Sequence, residues 1–547
     1  MRVYKTVIFS IIIISSWTIA QLAAAVDNTP VMEAQQEISA SVDVEPGGKL
    51  YIKDMQADIS ISGSTKNAIS ARAYLEISDL DEDLEEEFFS LSSIRIEPYR
   101  DGYQLELDTP KDEDKFSSNS GFSGFLKKLF VIRSGLSLSV TLNINLPEKY
   151  SLFIENKYGD VKISNVDGKI DLDNTSGEIL VELSAGDLVV HNNYAQVEVN
   201  DFDGNCEIRG ESCPVYVNRV AGNAEINSSY KTIDAENISG QLVIRGQSSD
   251  VTARKVSGDC DITSSYKLIR AEQIGGRLTI KGESCRIDAR TIEKDAVIES
   301  SYNPISVADI TGNLEVYGGS SDVTAENVKG NATIRSSYKP IAVKNVGGFL
   351  QIDGGSCPIT ADRIGTSVSV TNSYKDVEIS NTGGSVDIKG SSSPVSLRNI
   401  RGDALVRTSY KEVKALNVSG KLEIDGDSSP VFADSIGGNI KIDNSYKYVI
   451  IKRSAGSIDV QGSSSPIEVS DILNLPPNSH IRLITTYKPV KLYVPDKADI
   501  KARVKTEYGK VRSDFPVYLS EYNTKIDTEG STIVEIETSQ DIILRKE

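Results

Sequence analysis

Residues 232–247 read TIDAENISGQLVIRGQ, and residues 250–265 read DVTARKVSGDCDITSS. Laid over one another, Ile233, Ala235, Ile238, Gly240 and Ile244 become Val251, Ala253, Val256, Gly258 and Ile262, each displaced by 18 residues. Self-similarity at a fixed period marks a solenoid, a propeller or an array. Within each unit the apolar residues form period-2 pairs, Ile233 with Ala235 and Leu242 with Ile244, separated by Asn-Ile-Ser-Gly at 237–240. Such alternation is the mark of a half-buried strand, and Asn and Gly supply the backbone angles of a bend. The pattern predicts an all-β chain wound as a parallel β-solenoid, or β-helix, of 18-residue coils. A propeller blade needs about 40–45 residues. The hexapeptide left-handed helix needs a strict six-residue step, which the apolar positions 233, 235, 238, 242 and 244 do not keep. The spacing does not set the handedness.

Two coil types alternate. Tyr158, Tyr194, Tyr230, Tyr266, Tyr302, Tyr338, Tyr374, Tyr410 and Tyr446 stand 36 residues apart, mostly within Ser-Ser-Tyr-Lys or Asn-Ser-Tyr-Lys. Midway after each tyrosine stands a serine, from Ser176 to Ser464, and from Gly210 onward a glycine lies two residues before that serine. The register holds for eighteen coils between Tyr158 and Ser464. A five-residue insertion in DILNLPPNSHIRLITTYKPV (471–490) then places Tyr487 41 residues after Tyr446. About twenty coils at ~4.8 Å per rung predict a rod of roughly 95 Å. Pro214, Pro304, Pro340, Pro358, Pro394, Pro430 and Pro466 share one phase of the 18. That phase must be a corner, because proline cannot donate to a ladder that pairs on both sides.

The five cysteines fall into two phases. Cys213, Cys285 and Cys357 lie four rungs apart, and Cys206 and Cys260 lie three rungs apart. Those separations exceed what a disulfide spans. They read as small packed residues; Cys206 with Cys213, on one coil, is the single pair within reach.

The start, MRVYKTVIFSIIIISSWTIAQLAAAVDN, combines basic Arg2 and Lys5, an apolar run and Ala23-x-Ala25. It reads as a secretory signal peptide over 1–25. The apolar run is too short for a retained membrane span. The expectation is an exported protein of the periplasm, cell surface or extracellular space, with no membrane span after signal removal. The formal charge is -19, and -21 once Arg2 and Lys5 are removed. So acidic a chain argues against nucleic acid, anionic lipid and polyanionic sugar as default partners.

Residues 26–145 lack the 18-residue register and read as an N-terminal β-rich capping segment, with an acidic helix near 79–90 and a mobile insertion near 111–135. Within that insertion, Phe-Leu-Lys-Lys-Leu-Phe (125–130) could lie on a membrane or a partner, but reads rather as a loop clasping the first coil. The solenoid is expected over 146–509, and a C-terminal cap over 510–547. A cap covers what is otherwise an open sheet edge. At 146–181 the chain reads LPEKYSLFIENKYGDVKISNVDGKIDLDNTSGEILV. Leu146-Pro147, Gly159-Asp160-Val161, Gly168 and Ser176-Gly177-Glu178-Ile179, with the opening VDVEPGGKLYIKD, resemble the "putative adhesin" family of bacterial β-solenoid domains. The resemblance implies a β-helical fold and an extracytoplasmic setting. It carries over no catalytic residues, and after about residue 190 the coils depart from its pattern.

Sites for chemistry are scarce. The two histidines, His191 and His480, belong to no metal or triad pattern, and no phosphate-binding glycine loop occurs. The sequence therefore predicts no catalytic, cofactor-binding or metal-binding residue. Acidic runs such as DFDGN (201–205) could serve a glycosidase or lyase, but read as solvated faces. Eighteen coils without an insertion leave LNLPPNSH (473–480) as the sole place for a site-building loop.

The tyrosine column has two readings. Parity along Ala224, Ile226, Ser228 and Tyr230 turns the ring inward, where it would cover the glycine and serine of the neighbouring rungs as a structural ladder. Alternatively Tyr with Lys231, Lys267, Lys339, Lys375, Lys411 and Lys447 forms a surface-binding strip for sugar rings or an anionic polymer. Gly159, Ala195 and Asn303 interrupt the lysine column, which favours packing. The functional expectation is a non-enzymatic structural or adhesin-like solenoid offering an extended surface at the cell envelope, with an envelope protein or glycan as partner. The alternatives are a polysaccharide-binding scaffold and a polysaccharide-active β-helix enzyme. The oligomeric state is not legible.

Overall fold

The computed structural model describes residues 34–78, 82–110, 137–519 and 531–547. The stretch read as a signal peptide (1–25) and the insertion near 111–135 lie outside the described residues. The repeat is a parallel β-solenoid of about twenty turns, with two strands per coil. Ile233–Ile238 pairs in parallel with Val215–Val220 before it and Val251–Val256 after it. Leu242–Gln247 pairs likewise with Ala224–Ser229 and Cys260–Ser265. The register is 18 throughout, so Ile233 lies over Val251 and Leu242 over Cys260.

Burial follows the sequence pattern, with Ile233, Ala235, Ile238, Leu242 and Ile244 all fully buried. Burying such a branched aliphatic side chain is worth about 1.5–3 kcal/mol, and every coil repeats the set. The step from Ala235 to Ile238 breaks strict alternation because Asn237 has φ +59°. A left-handed residue shifts the alternation by one, so that positions 233, 235 and 238 all face inward. The same device recurs at Lys255, Gln273, Thr291 and Asp309. Three residues later the coils close tightly: a Cβ on Gly240 would stand 2.5 Å from the carbonyl oxygen of Gly222.

The alternation of two coil types arises inside the second corner. In the serine coils the residue after the corner serine turns inward. These residues, Cys213, Ser249, Cys285, Ser321, Cys357, Ser393, Ser429 and Ser465, are all fully buried. At Gly210, Gly246, Gly282, Gly390 and Gly462 this residue fills the space beside the glycine three residues earlier: a Cβ on Gly282 would lie 2.9 Å from Cys285 Cβ, and one on Gly246 would lie 3.0 Å from Ser249 Cβ. Beside Gly318, Gly354 and Gly426 the next coil's Ser336, Asn372 and Asn444 stand instead. In the tyrosine coils the inward residue stands two before the tyrosine and is Ser, Asn or Thr. It clamps the inward backbone of the serine coil below. The Cys357 amide donates to Asn372 Oδ1 at 3.0 Å, and Asn372 Nδ2 donates to the Cys357 carbonyl at 2.9 Å. Ser300 with Cys285, Thr408 with Ser393 and Asn444 with Ser429 repeat the clamp.

This arrangement corrects the inward tyrosine. The glycine sockets are filled by the Ser or Cys of their own coil or by the inward Ser or Asn of the next, and the inward residue of the tyrosine coil is Ser228, not Tyr230. The strand ends at Ser229, so the parity argument ran past it into a corner where alternation no longer applies. All five cysteines are free and buried, as their phases require, Cys206 and Cys213 included.

Both flanks join the stack out of sequence order. Lys49–Met55 and Asp58–Ser64 pair in parallel with Ser151–Tyr158 and Val161–Ser164, forming a rung before the first regular coil. Tyr51 stacks on Phe153 across that junction, with ring centroids 5.0 Å apart. At the far end Ile458 pairs with Ile481, a step of 23 that absorbs the five-residue insertion. Thr532–Glu537 then inserts between His480–Ile484 and Ile500–Lys505. Among the described residues, a separate compact unit comprises 34–36, 75–78, 82–92, 109–110 and 137–139. It contains the expected acidic helix, Glu82–Leu91, and a core of Ile77, Leu84 and Phe88. Among the described residues, no helix is long and apolar enough to cross a membrane.

Two substitutions test the corner rule. Gly282→Val forces its side chain against Cys285, Ile269 and Ile287, and should lower stability by about 1–3 kcal/mol in urea unfolding. Ser393 Oγ is buried without a hydrogen-bond partner, at a phase that sister coils fill with cysteine. Ser393→Cys should leave stability unchanged or raise it by up to about 1 kcal/mol in the same assay.

Candidate functional site

The nine tyrosines of the ladder form an outward column, each 60–73% exposed. From Tyr230 to Tyr446 the seven tyrosines have φ between +63° and +67°. For a bulky residue this is a true outlier. The reason is local. The Lys339 amide donates to the Ser337 carbonyl at 2.8 Å, closing a three-residue turn with Tyr338 at its apex. The same bond closes the turns at Tyr302, Tyr374, Tyr410 and Tyr446. A two-residue hydrogen bond around a positive-φ residue matches the rarer, strained form of the γ-turn. The tyrosine amides hold the corner to the next coil, as Tyr266 N–H does to the Glu283 carbonyl at 2.8 Å. Tyr158 and Tyr194 are exposed without the left-handed backbone.

Tyrosines recur every second rung, at ~9.6 Å. Tyr51 and Phe153, one rung apart, can stack; the ladder rings cannot reach one another. A shallow depression of about 750 Å³ runs along the column from Tyr230 past Tyr266 to Gly319, lined in part by Gly246, Ser248 and Ser265. Among the described residues the hydroxyls of the seven left-handed tyrosines have no hydrogen-bond partner. Lys231, Lys267, Lys339, Lys375, Lys411 and Lys447 are all exposed beside them, and form no ion pair among the described residues. Placing these lysines on alternate coils keeps like charges from facing each other directly across a ladder, which would be destabilising. At ~9.6 Å their repulsion is largely screened at physiological salt. Tyr487, with φ +37° and 69% exposed, extends the column past the insertion.

A second groove, of about 1190 Å³, runs along the opposite bend from Thr291 to Ser419. The sequence reading missed it. Its signal was asparagine recurring at the bend phase, at 327, 345, 381, 399 and 417. These amides are largely spent on one another. Asn345 donates to Asn327, and Asn399 to Asn381, each at 2.8 Å. The groove is therefore a self-satisfied polar ladder, whereas the tyrosine column presents its rings, hydroxyls and ammonium groups outward.

The remaining candidates do not converge. Asp201 of the DFDGN run is engaged by the Arg219 guanidinium one rung on, whose hydrogen bonds hold its carboxyl below the usual range. His191 lies 3.3 Å from Arg209, and His480 lies 3.7 Å from Glu535. At the insertion, Leu473 and Asn474 still bond to the preceding coil at Ser454 and Gly456, and the chain turns between Pro476 and Ser479. Burial pushes the Cys206 thiol up to about 12 and raises those of Cys213, Cys285 and Cys357, so none is poised as a thiolate. Among the described residues, no cluster of three or more His, Cys, Asp or Glu is placed to hold a metal ion.

An outward tyrosine contributes little to stability. Tyr338→Asn should leave the unfolding free energy unchanged or raise it by up to about 1 kcal/mol, since an exposed ring is lost and Asn tolerates the left-handed backbone better. A buried aromatic truncated to alanine would lose about 3–5 kcal/mol. Urea denaturation distinguishes the two.

No family model matches the chain, and no curated relative matches it. Two solved structures are similar at a low level. One, a "putative cell adhesion protein" from Clostridium sporogenes, is 16% identical, covering 46% of this chain and 99% of its own, with a TM-score of 0.17. The other, a "putative lipid binding protein" from Parabacteroides distasonis, is 12% identical, covering 66% of this chain and 96% of its own, with a TM-score of 0.15. The resemblance of residues 146–181 to an adhesin family thus rests on those residues, and the β-solenoid on the strand pairing itself.

Proposed function

We propose that this chain is a non-enzymatic, exported, adhesin-like solenoid that holds a partner of the cell envelope along its tyrosine and lysine column. One observation carries the reading. From Tyr230 to Tyr446, tyrosine stands at a strained corner of every second coil, exposed and, among the described residues, without a hydrogen-bond partner for its hydroxyl. Backbone strain of this kind costs about 1–3 kcal/mol per residue and gathers at ligand-holding sites. Folding gains almost nothing from the ring, so its role is external. A row of aromatics with adjacent cations suits a long partner touched weakly at many points, because linked contacts raise the effective concentration of the next. Export rests on the N-terminal reading.

Two measurements test this. Fractionation of cells making the full chain should place it outside the cytoplasm. The purified protein should sediment with isolated cell envelopes. Tyr266→Asn, Tyr302→Asn, Tyr338→Asn and Tyr374→Asn combined should weaken that binding at least about tenfold, since each aromatic contact is worth about 0.5–1.5 kcal/mol. Unchanged sedimentation by the combined variant would refute the column as the binding surface.

A further inference from the structure

Building on that reading, we infer that the column's ligand is an extended β-1,4-linked glycan lying parallel to the solenoid axis. The argument is one of period and surface chemistry. The rings form a single file, repeating every two rungs at ~9.6 Å. In an extended β-1,4-linked chain alternate sugars are flipped, so the same ring face returns every second sugar. Two sugars span a little more than two rungs, so neighbouring tyrosines meet equivalent faces. An extended peptide returns the same face every two residues, at ~6.8 Å, and falls out of step at once.

A polyproline II chain repeats at ~9.3 Å and keeps this period at least as well, so surface chemistry decides between the two. It is bound in aromatic-lined grooves. Here the rings stand singly and stay at least 60% exposed along a corner, which makes a platform. The flanking groups are also polar. A serine precedes each left-handed tyrosine, and the intervening coil brings Ser248 or its equivalent to the same column. A sugar ring has an apolar face for the aromatic and a hydroxyl rim for such serines and the lysine. A proline ring has no such rim. The chain's net charge of -19 further favours an uncharged polymer over a polyanion.

The test is titration of the full-length chain with β-1,4-linked glucose and N-acetylglucosamine oligomers of two, four, six and eight units. Controls are α-1,4-linked and β-1,3-linked glucose oligomers and a polyproline peptide. Affinity for the β-1,4 series should rise about 2- to 10-fold with each added disaccharide, one further tyrosine engaged at each step. Tyr302→Asn with Tyr338→Asn should reduce octamer affinity at least tenfold, while Tyr302→Phe with Tyr338→Phe should retain most of it. Equal binding of the α-1,4 series, binding of polyproline alone, or β-1,4 affinity that does not grow with length would each overturn the assignment. If the oligomers neither bind nor displace the protein from envelopes, yet the fourfold asparagine variant still loses envelope binding, the glycan assignment fails and the adhesive column stands. If that variant keeps envelope binding, both fail.

Discussion

Everything in this molecule answers to the in-register parallel pairing of coils 18 residues apart. Each strand hydrogen-bonds to the coil before and the coil after, as Ile233–Ile238 does to Val215–Val220 and Val251–Val256. A residue is therefore stacked on its own equivalents, and a choice made at one phase becomes a column along the axis. Apolar phases become a continuous core. A left-handed phase, as at Asn237, becomes a continuous bend. Charged phases bring like charges together, and the chain answers with ion pairs between rungs such as Arg219 with Asp201 and Lys441 with Glu423.

The doubling from 18 to 36 residues has an equally local cause. At the second corner there is room for one inward side chain from each coil. The serine coils fill it with Ser or Cys after the corner and keep glycine before it. The tyrosine coils fill it before the corner, with the Ser, Asn or Thr that clamps the backbone of the coil below. From Gly210 onward the two solutions alternate and pair the buried amides between them, each of which would cost about 1–3 kcal/mol if left unpaired. The first coils instead stack Asn156, Asn174 and Asn192 as identical buried neighbours bonded to backbone carbonyls.

The regular coils were legible in the sequence because period, proline phase and cysteine phase all report on strand pairing and corners. The tyrosine was misread. Parity is a property of extended backbone, and Ser228 was the last residue to which it applied before the turn at Tyr230. The flanking rungs were hidden for a different reason. Lys49–Met55 pairs with Ser151–Tyr158, and Thr532–Glu537 slips between two earlier strands. Pairings at such separations leave no fixed period to find. The asparagine groove was visible as a recurring residue at one phase, but the bend had been read for its backbone angles and not for its side chains.

The corner rule also changes what the regularity of tyrosine means. Strict recurrence of Tyr beside variable Lys suggested packing, because packing is the usual reason for strictness. The interior, however, sets only the residue two positions earlier, and it accepts Ser, Asn or Thr there. It asks of the corner residue only a positive φ, which Ser248 and Ser284 satisfy on the intervening coils and Gly319 and Gly355 satisfy next to the equivalent serines. Asn, Asp or Gly would meet that demand with less strain than tyrosine. The fold thus explains why every second coil has this corner, and leaves the aromatic ring on it unexplained. A residue that the interior neither needs nor favours, repeated at one spacing along an exposed edge, is specified by something outside the chain that shares the spacing.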